Sequence, residues 1–91
     1  MRTIILSHQF KKDLKLARKR NLPEQELFDV VRDLANDITL HPDKHDHQLT
    51  GEYTGFRECH IRPDWLLLYK KEDGELQVLN LYRTGTHSDL F

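Results

Sequence analysis

Histidine is the residue type best suited to proton transfer near neutral pH, and it occurs six times among these 91 residues. Its unperturbed pKa of about 6.5 lets one imidazole accept a proton while another delivers one. Four of the six fall between residues 45 and 87: His45, His47, His60 and His87. A turn after His60 brings Asp64 back beside it, so we expect an imidazole and a carboxylate to be near neighbours.

An arginine and three aromatic residues complete the groups that metal-free RNA cleavage requires. Such cleavage needs a base for the ribose 2′-hydroxyl, an acid for the departing 5′-oxygen and a cation for the phosphate. Arg83 has the planar fork that binds phosphate through two parallel hydrogen bonds. Trp65, Tyr82 and Phe91 are candidates for stacking on unpaired bases. Two alternatives stay open, because Trp65 also fits a core position and Arg83 also fits an ion pair with an acid on a neighbouring strand.

The histidines of the central region raise the alternative of a zinc site. His41, His45 and His47 follow the spacing H-x3-H-x-H. No cysteine lies nearby and no pair has the spacing of ligands on one helix face, so we predict no metal and no cofactor. His41 and His45 are then polar loop residues. Cys59, the single cysteine, is predicted to be a small core residue and not a nucleophile.

The length of 91 residues predicts a single domain, residues 1–91, with one modest core. Hydrophobic residues make up 37% and charged residues 32%, which is the balance of a soluble globular protein. No apolar run approaches the roughly 20 residues that span a bilayer, and the N-terminal apolar stretch is too short for a secretory signal. Because one cysteine cannot form an internal disulfide, we expect a reducing cytoplasmic location and no membrane partner.

The net charge of −1 conceals a strong division of charge along the chain. Residues 2–20 contain seven basic residues and one acid, whereas residues 24–46 contain seven acids and two bases. A dipolar chain of this kind can present a basic face to phosphates while staying nearly neutral overall. The alternative is that the basic segment is only the solvated side of a helix.

Hydrophobic periodicity predicts one strand and two helices in the first half. Thr3–Leu6 is β-branched and aliphatic, and the Ser7 hydroxyl can cap a helix that follows it. An apolar stripe at i, i+4 and i+7 predicts a first helix: Phe10, Leu14 and Ala17. After Pro23, a second stripe predicts another helix: Leu27, Val30, Val31, Leu34 and Ile38.

The second half predicts a loop, a three-stranded meander and a short tail. Residues 39–54 have neither period and predict a long loop, which in a small domain is more often functional than idle. Strands are predicted at residues 55–61, 65–71 and 76–84, and residues 85–91 form the tail. The fold is therefore predicted to be α+β, with two helices packed on one face of a small antiparallel sheet.

Three segments together resemble a known family. The chain contains DHQLTGEYTGFRECHIRPDWLLLYK and YRTGTHSDLF. These segments match the patterns H-x-L-x-G, G-[FY]-R-x-x-H-x-x-P-D-W and R-T-G-[ST]-H-x-x-L-F, and they occur in the same order and spacing. The first strand and helix also match, so the chain resembles the YafQ branch of the RelE/ParE toxin superfamily over nearly its whole length.

The resemblance implies a RelE-like fold and a ribosome-dependent endonuclease that cleaves messenger RNA and is neutralised by a cognate antitoxin. Operator DNA would be bound only through the antitoxin complex. The family's catalytic set falls on four residues: His47, His60, Asp64 and His87. Its substrate-contacting residues fall on Trp65, Arg83 and Phe91. The basic first helix would then dock on ribosomal RNA through four lysines: Lys11, Lys12, Lys15 and Lys19.

The resemblance also assigns roles within this set. His87, on a tail expected to be mobile, would be the general acid, and either His47 or His60 the base. Asp64 would orient a histidine or accept the proton itself, while Arg83 would neutralise the phosphate. The alternative function comes from the ParE side of the superfamily, whose members inhibit DNA gyrase by binding and need no such acid–base set.

Overall fold

The computed structural model describes residues 1–91 and contains one five-stranded sheet and three helices. The strands and helices occur in the order β1 (Thr3–Leu6), α1 (His8–Lys19), α2 (Glu24–Ala35), β2 (His47–Gln48), β3 (Arg57–Arg62), β4 (Trp65–Asp73), β5 (Gln77–Gly85) and α3 (His87–Leu90). None of the helices has the length and apolar character needed to cross a membrane. The predicted α+β class is confirmed.

Both long helices begin close to the predicted positions. Ser7 caps α1, because its Oγ accepts the backbone N–H of Phe10 at 2.9 Å. α2 ends at Ala35 and not at Ile38, the last residue of the predicted stripe. The reason is local, since Asp37 takes a left-handed conformation with φ of 57° and stops the helix. Ile38 is consequently exposed.

The strands are arranged in the order β1-β5-β4-β3-β2. The meander of β3, β4 and β5 is antiparallel, as predicted. β1 pairs with β5 in parallel, so the sheet is mixed and not wholly antiparallel as predicted. The loop predicted over residues 39–54 also contains a strand, since β2 pairs with β3 through His47 opposite Glu58.

The helices pack on one face of the sheet and leave the other face without a helical layer. Trp65, Leu67 and Tyr69 of β4 point towards α1 and α2 and form the main core with Phe10 and Leu27. The intervening residues of β4 point the opposite way, as strand alternation requires. They form a smaller cluster with Leu90, covered in part by Leu49, Tyr53 and Tyr82. We call this side the open face.

The tail expected to be mobile forms the ordered helical turn α3. The Thr86 hydroxyl accepts the N–H of Asp89, and the Asp89 carboxylate accepts the N–H of Thr86, which is a capping box. Arg20 of α1 also binds the Asp89 carboxylate, and this ion pair holds the pKa of Asp89 well below its usual range. α3 is therefore anchored to α1.

Candidate active site

Strand pairing brings the central histidines together on the open face. His47 of β2 lies opposite Glu58 of β3, and His60 lies two residues further along β3. Because side chains alternate across a strand, Glu58 and His60 project from the same face. The structure thus brings His47 and His60 together as predicted, with a carboxylate between them.

Glu58 is the residue that sequence reasoning missed. Its side chain is only 7% exposed, and its Oε1 lies 3.2 Å from Nε2 of His47 and 3.2 Å from Nε2 of His60. A buried carboxylate is stable where it accepts hydrogen bonds of this kind. The available signal was the alternation in β3, which places residue 58 on the same face as residue 60.

His87 and Asp64 form a second imidazole–carboxylate pair at the end of the sheet. Nδ1 of His87 lies 2.6 Å from Oδ1 of Asp64, and the backbone N–H of His87 donates to the same oxygen at 2.9 Å. These hydrogen bonds, first the backbone one and then the side-chain one, lower the pKa of Asp64 below its ordinary value. The ionised carboxylate therefore fixes the ring, and Nε2 of His87 is left to face a substrate.

The two pairs are neighbours, and a third histidine joins them. The ring centroids of His60 and His87 are 5.7 Å apart, and those of His45 and His60 are 5.3 Å apart. His45 was predicted to be a polar loop residue, but its left-handed conformation, with φ of 48°, leaves its ring beside His60. It borders a cleft of about 650 Å³ whose rim also carries Lys44 and Arg62.

Arg83 is held by an acid from a helix and not from a neighbouring strand. Its Nε and Nη2 donate to the two carboxylate oxygens of Asp13 at 3.1 and 3.0 Å, and this pairing raises the pKa of Arg83. The N–H of Thr84 also donates to Asp13. The Arg83 side chain remains 22% exposed.

The predicted aromatic contacts divide into one buried ring and one exposed ring. Trp65 is 2% exposed and lies in the helix-side core, so its ring occupies the core position that the sequence left as an alternative and is not available to a base. Phe91 is 61% exposed and lies edge-on to Tyr53 with centroids 5.4 Å apart. Phe91 therefore remains available to a base.

Two further groups follow from the structure. The four lysines predicted to dock on ribosomal RNA are exposed and form no ion pairs: Lys11, Lys12, Lys15 and Lys19. Cys59 is fully buried, and this burial raises the pKa of its thiol, so it is not a nucleophile. The burial of Cys59 agrees with the core position predicted from the sequence, whereas the exposure of the lysines fits both a docking surface and a solvated helix face.

The residues that could hold a metal ion are not the loop triplet considered from the sequence. Nitrogen and carboxylate atoms of His47, Glu58 and His60 lie within 4.8 Å of one another. Two imidazoles and one carboxylate are a donor set that divalent transition metals accept. A metal at this position would occupy the Nε2 atoms that otherwise bind Glu58.

The mixed sheet, the helix pair on one face and the acid–base cluster on the other define a small toxin of a type II toxin–antitoxin system. Residues 2–91 match the family described as the bacterial toxin of type II toxin–antitoxin system, YafQ. The chain belongs to the YafQ family.

Three relatives illustrate the match. The mRNA interferase toxin YafQ of Escherichia coli strain K12 is 41% identical over 91 residues, which cover 99% of this chain and 96% of that protein. A crystal structure of the E. coli DinJ-YafQ toxin–antitoxin complex matches with a TM-score of 0.88 and 41% identity, covering 99% of this chain and 97% of that one. A metal-bound toxin from Helicobacter pylori matches over 100% of both chains with a TM-score of 0.92 and 43% identity.

Proposed function

We propose that this toxin is an endoribonuclease that cleaves messenger RNA on the ribosome by metal-independent acid–base catalysis. The observation that carries the proposal is the proximity of two imidazole–carboxylate pairs, Glu58 with His60 and Asp64 with His87. Their imidazole centroids are 5.7 Å apart, so a base and an acid can act on opposite sides of one phosphate. The E. coli relative of this chain is named an mRNA interferase.

His60 is proposed as the base. Its Nε2 donates to Glu58, so Nδ1 is the nitrogen left to take the proton from the ribose 2′-hydroxyl. The 2′-oxygen then forms a bond to phosphorus as the bond from phosphorus to the 5′-oxygen breaks. Glu58 acts here as a positioning residue, because it fixes the ring and stabilises the imidazolium that forms.

His87 is proposed as the acid. Asp64 accepts from Nδ1, so Nε2 is directed outwards with the proton that the departing 5′-oxygen receives. The products are a 2′,3′-cyclic phosphate and a 5′-hydroxyl, and no water or metal is consumed in this step. Arg83 and His47 would supply positive charge that stabilises the transition state, in which the phosphorus is bonded to five oxygens.

The partners follow from the same proposal. The exposed lysines of α1 would bind ribosomal RNA phosphates, and a cognate antitoxin would neutralise the toxin and connect it to operator DNA. E. coli YafQ is found in complex with DinJ. Co-expression of this toxin with its cognate antitoxin should yield a complex that binds operator DNA, whereas the toxin alone should not.

The test of the chemistry is single-turnover cleavage of a message on programmed ribosomes. We expect cleavage to continue with 1,10-phenanthroline, which removes transition metals and leaves the Mg²⁺ that ribosomes need. The 3′ ends should carry a 2′,3′-cyclic phosphate. Loss of cleavage in phenanthroline and its recovery with Zn²⁺ would contradict metal independence, and equal cleavage of free RNA would contradict ribosome dependence.

A further inference from the structure

The open face carries a second cleft that the proposed chemistry does not use. It has a volume of about 250 Å³ and lies on the side of the sheet that no long helix covers. Its walls come from β1, β4, β5 and the residue before β3, and they include Ile5, Phe56, Lys70, Glu72, Asn80 and Tyr82. Aromatic, cationic and amide groups therefore meet in a space suited to one small flat molecule.

Two stacked rings form the aromatic wall of this cleft. Phe56 and Tyr82 have centroids 4.4 Å apart and an interplanar angle of 24°, and Lys70 Nζ lies 5.8 Å from the Phe56 centroid. Tyr82 also packs against the small cluster of Leu66 and Leu68, but Phe56 does not belong to that cluster. Tyr82 is thus fixed by the packing of the sheet, whereas Phe56 stacks on Tyr82 from outside that cluster and remains half-buried.

The polar wall has a fixed orientation. Nδ2 of Asn80 donates to Oε1 of Glu72 at 2.8 Å, so a flip that exchanged the amide oxygen and nitrogen would break this hydrogen bond. Its Oδ1 and its second N–H remain as an acceptor and a donor side by side. Such an amide pairs with a base that presents an amino group next to a ring nitrogen, as adenine and cytosine do.

The cleft lies on the same face of the sheet as the histidine cluster. Phe56, Glu58 and His60 occupy alternate positions, so their side chains share one face of the strand. At about 3.3 Å per residue, Phe56 lies roughly 13 Å from His60 along the chain direction, so a base there would not belong to either of the nucleotides that the reactive phosphate joins. A message strand held with its reactive phosphate at the histidines would therefore extend the next base along towards Phe56.

We propose that this cleft is a subsite for one unstacked base of the message, next to the nucleotides joined by the reactive phosphate. Phe56 and Tyr82 supply the stacking surface, Lys70 adds a cation, and Asn80 selects adenine or cytosine. The inference rests on the proposed function, because it assumes that the message is the substrate of the histidine cluster.

The test compares Phe56→Leu with the wild type in single-turnover cleavage on programmed ribosomes. Leucine keeps the apolar volume and removes the flat ring, so half-saturation should require roughly 5- to 150-fold more toxin, the range that one base–aromatic stack supports. The rate at saturation should not change. Phe28→Leu on α2 is the matched control, because Phe28 is 36% exposed and lies on the helix side of the sheet.

A message with an abasic site identifies the base. At one position flanking the cut, an abasic site should weaken binding of the wild type by the same factor as Phe56→Leu does. The same abasic site should not weaken binding of the Phe56→Leu variant any further, because that variant has already lost the stacking contact. Replacing the base there by guanine or uracil should weaken the wild type and leave Asn80→Ala unaffected. If the effects of the abasic site and of Phe56→Leu on binding add up at every position of the message, the proposed subsite is wrong.

The remaining outcomes separate this inference from the proposed function. If the wild type does not cleave at all, the proposed function is wrong. If the wild type cleaves but Phe56→Leu matches Phe28→Leu, only the subsite is wrong. If Phe56→Leu cleaves normally and instead weakens the antitoxin complex, the cleft is a protein-binding surface and the inference is overturned.

Discussion

Each imidazole of the proposed acid–base pair uses one nitrogen to bind a carboxylate. His60 donates to Glu58 through Nε2 and His87 donates to Asp64 through Nδ1, so in each ring the other nitrogen is not used by the carboxylate. The carboxylates differ in burial, since Glu58 is covered by protein and Asp64 lies at the surface. The ring held by the exposed carboxylate, His87, is also the more exposed of the two, at 54% against 18% for His60.

His87→Ala should abolish toxicity while leaving the fold and antitoxin binding intact. The side chain is 54% exposed, so its removal opens no core cavity. Removal of a general acid typically lowers the rate by 10²–10⁴-fold. His87→Gln should fail equally, because an amide cannot deliver a proton. The measurement is single-turnover cleavage after a cooperative melt has been verified, and His41→Ala, an exposed histidine outside the cluster, is the matched control.

Glu58→Gln should lower the cleavage rate by roughly 10²-fold and change its pH dependence. The amide keeps the shape of Glu58 but no longer stabilises an imidazolium. We therefore expect the acidic limb of the pH–rate profile to move to lower pH, which a purely structural role would not cause. An unchanged profile with a lower melting temperature would show that Glu58 only supports the fold.

The residues of the site differ in how far the sequence determined them. His47, His60, Asp64 and His87 follow from the family motif, and all four lie in the cluster. The turn after His60 was expected to pair Asp64 with His60, but Asp64 binds His87 and His60 binds Glu58. Glu58 was missed because its partner across the sheet, His47, lies in a strand of two residues that no periodicity can reveal. For the same reason His45, which precedes that strand, was assigned to a polar loop.

At the scale of elements, burial decided what the sequence could predict. α1, α2 and the meander have apolar stripes that face one core, and their periodicity located them to within a few residues. β2 and α3 are held by hydrogen bonds and caps, which leave no repeating signal. The tail was expected to be mobile because its residues are small and polar, yet the capping box of Thr86 and Asp89 orders it.

The lysines of α1 should determine ribosome affinity. Replacement of Lys11, Lys12, Lys15 and Lys19 by glutamate should weaken ribosome binding. In a plot of the logarithm of the binding constant against the logarithm of salt concentration, the slope should become shallower by about one for each phosphate that is no longer neutralised. Lysine and glutamate have similar helix propensities, so α1 should persist. Binding is measured by sedimentation at several salt concentrations. Variants with glutamine at the same four positions, which remove the charge without reversing it, should bind with intermediate affinity. Unchanged binding at low salt would show that this segment is only a solvated face.

The ion pairs of Asp37, which follows α2, should stabilise the fold in a pH-dependent way. Its carboxylate binds Lys71 and Arg2, and these partners lower its pKa to about 2. Because the folded pKa lies below the ordinary value of about 3.9, the stabilisation is complete above that value and disappears as the pH falls through about 2. Asp37→Asn should therefore unfold at lower urea than the wild type at pH 7 and at pH 5. A difference that does not shrink between pH 4 and pH 2 would contradict this linkage.

In the whole molecule, the basic helix is joined directly to the site. Asp13 of α1 binds Arg83 beside the open face, and Arg20 of α1 binds Asp89 of α3, the helical turn that begins at His87. Arg18 also pairs with Glu24, which links α1 to the acidic α2. Docking of α1 on an RNA surface would thus set the position of both His87 and Arg83.

Expression of this toxin without its antitoxin should arrest growth through cleavage of messages. Because α1 would place the cluster against a message held by the ribosome, the cuts should recur at a fixed position within codons. The measurement is mapping of 5′ ends across the transcripts of arrested cells, together with pulsed-field analysis of chromosomal DNA. Cells expressing His87→Ala should continue to grow, as should cells that co-express the antitoxin with the wild type.

A ParE-like toxin would instead leave messages intact and break DNA through gyrase. Arrest by His87→Ala with broken DNA would therefore replace the nuclease by a gyrase inhibitor, because inhibition by binding needs no proton from this histidine.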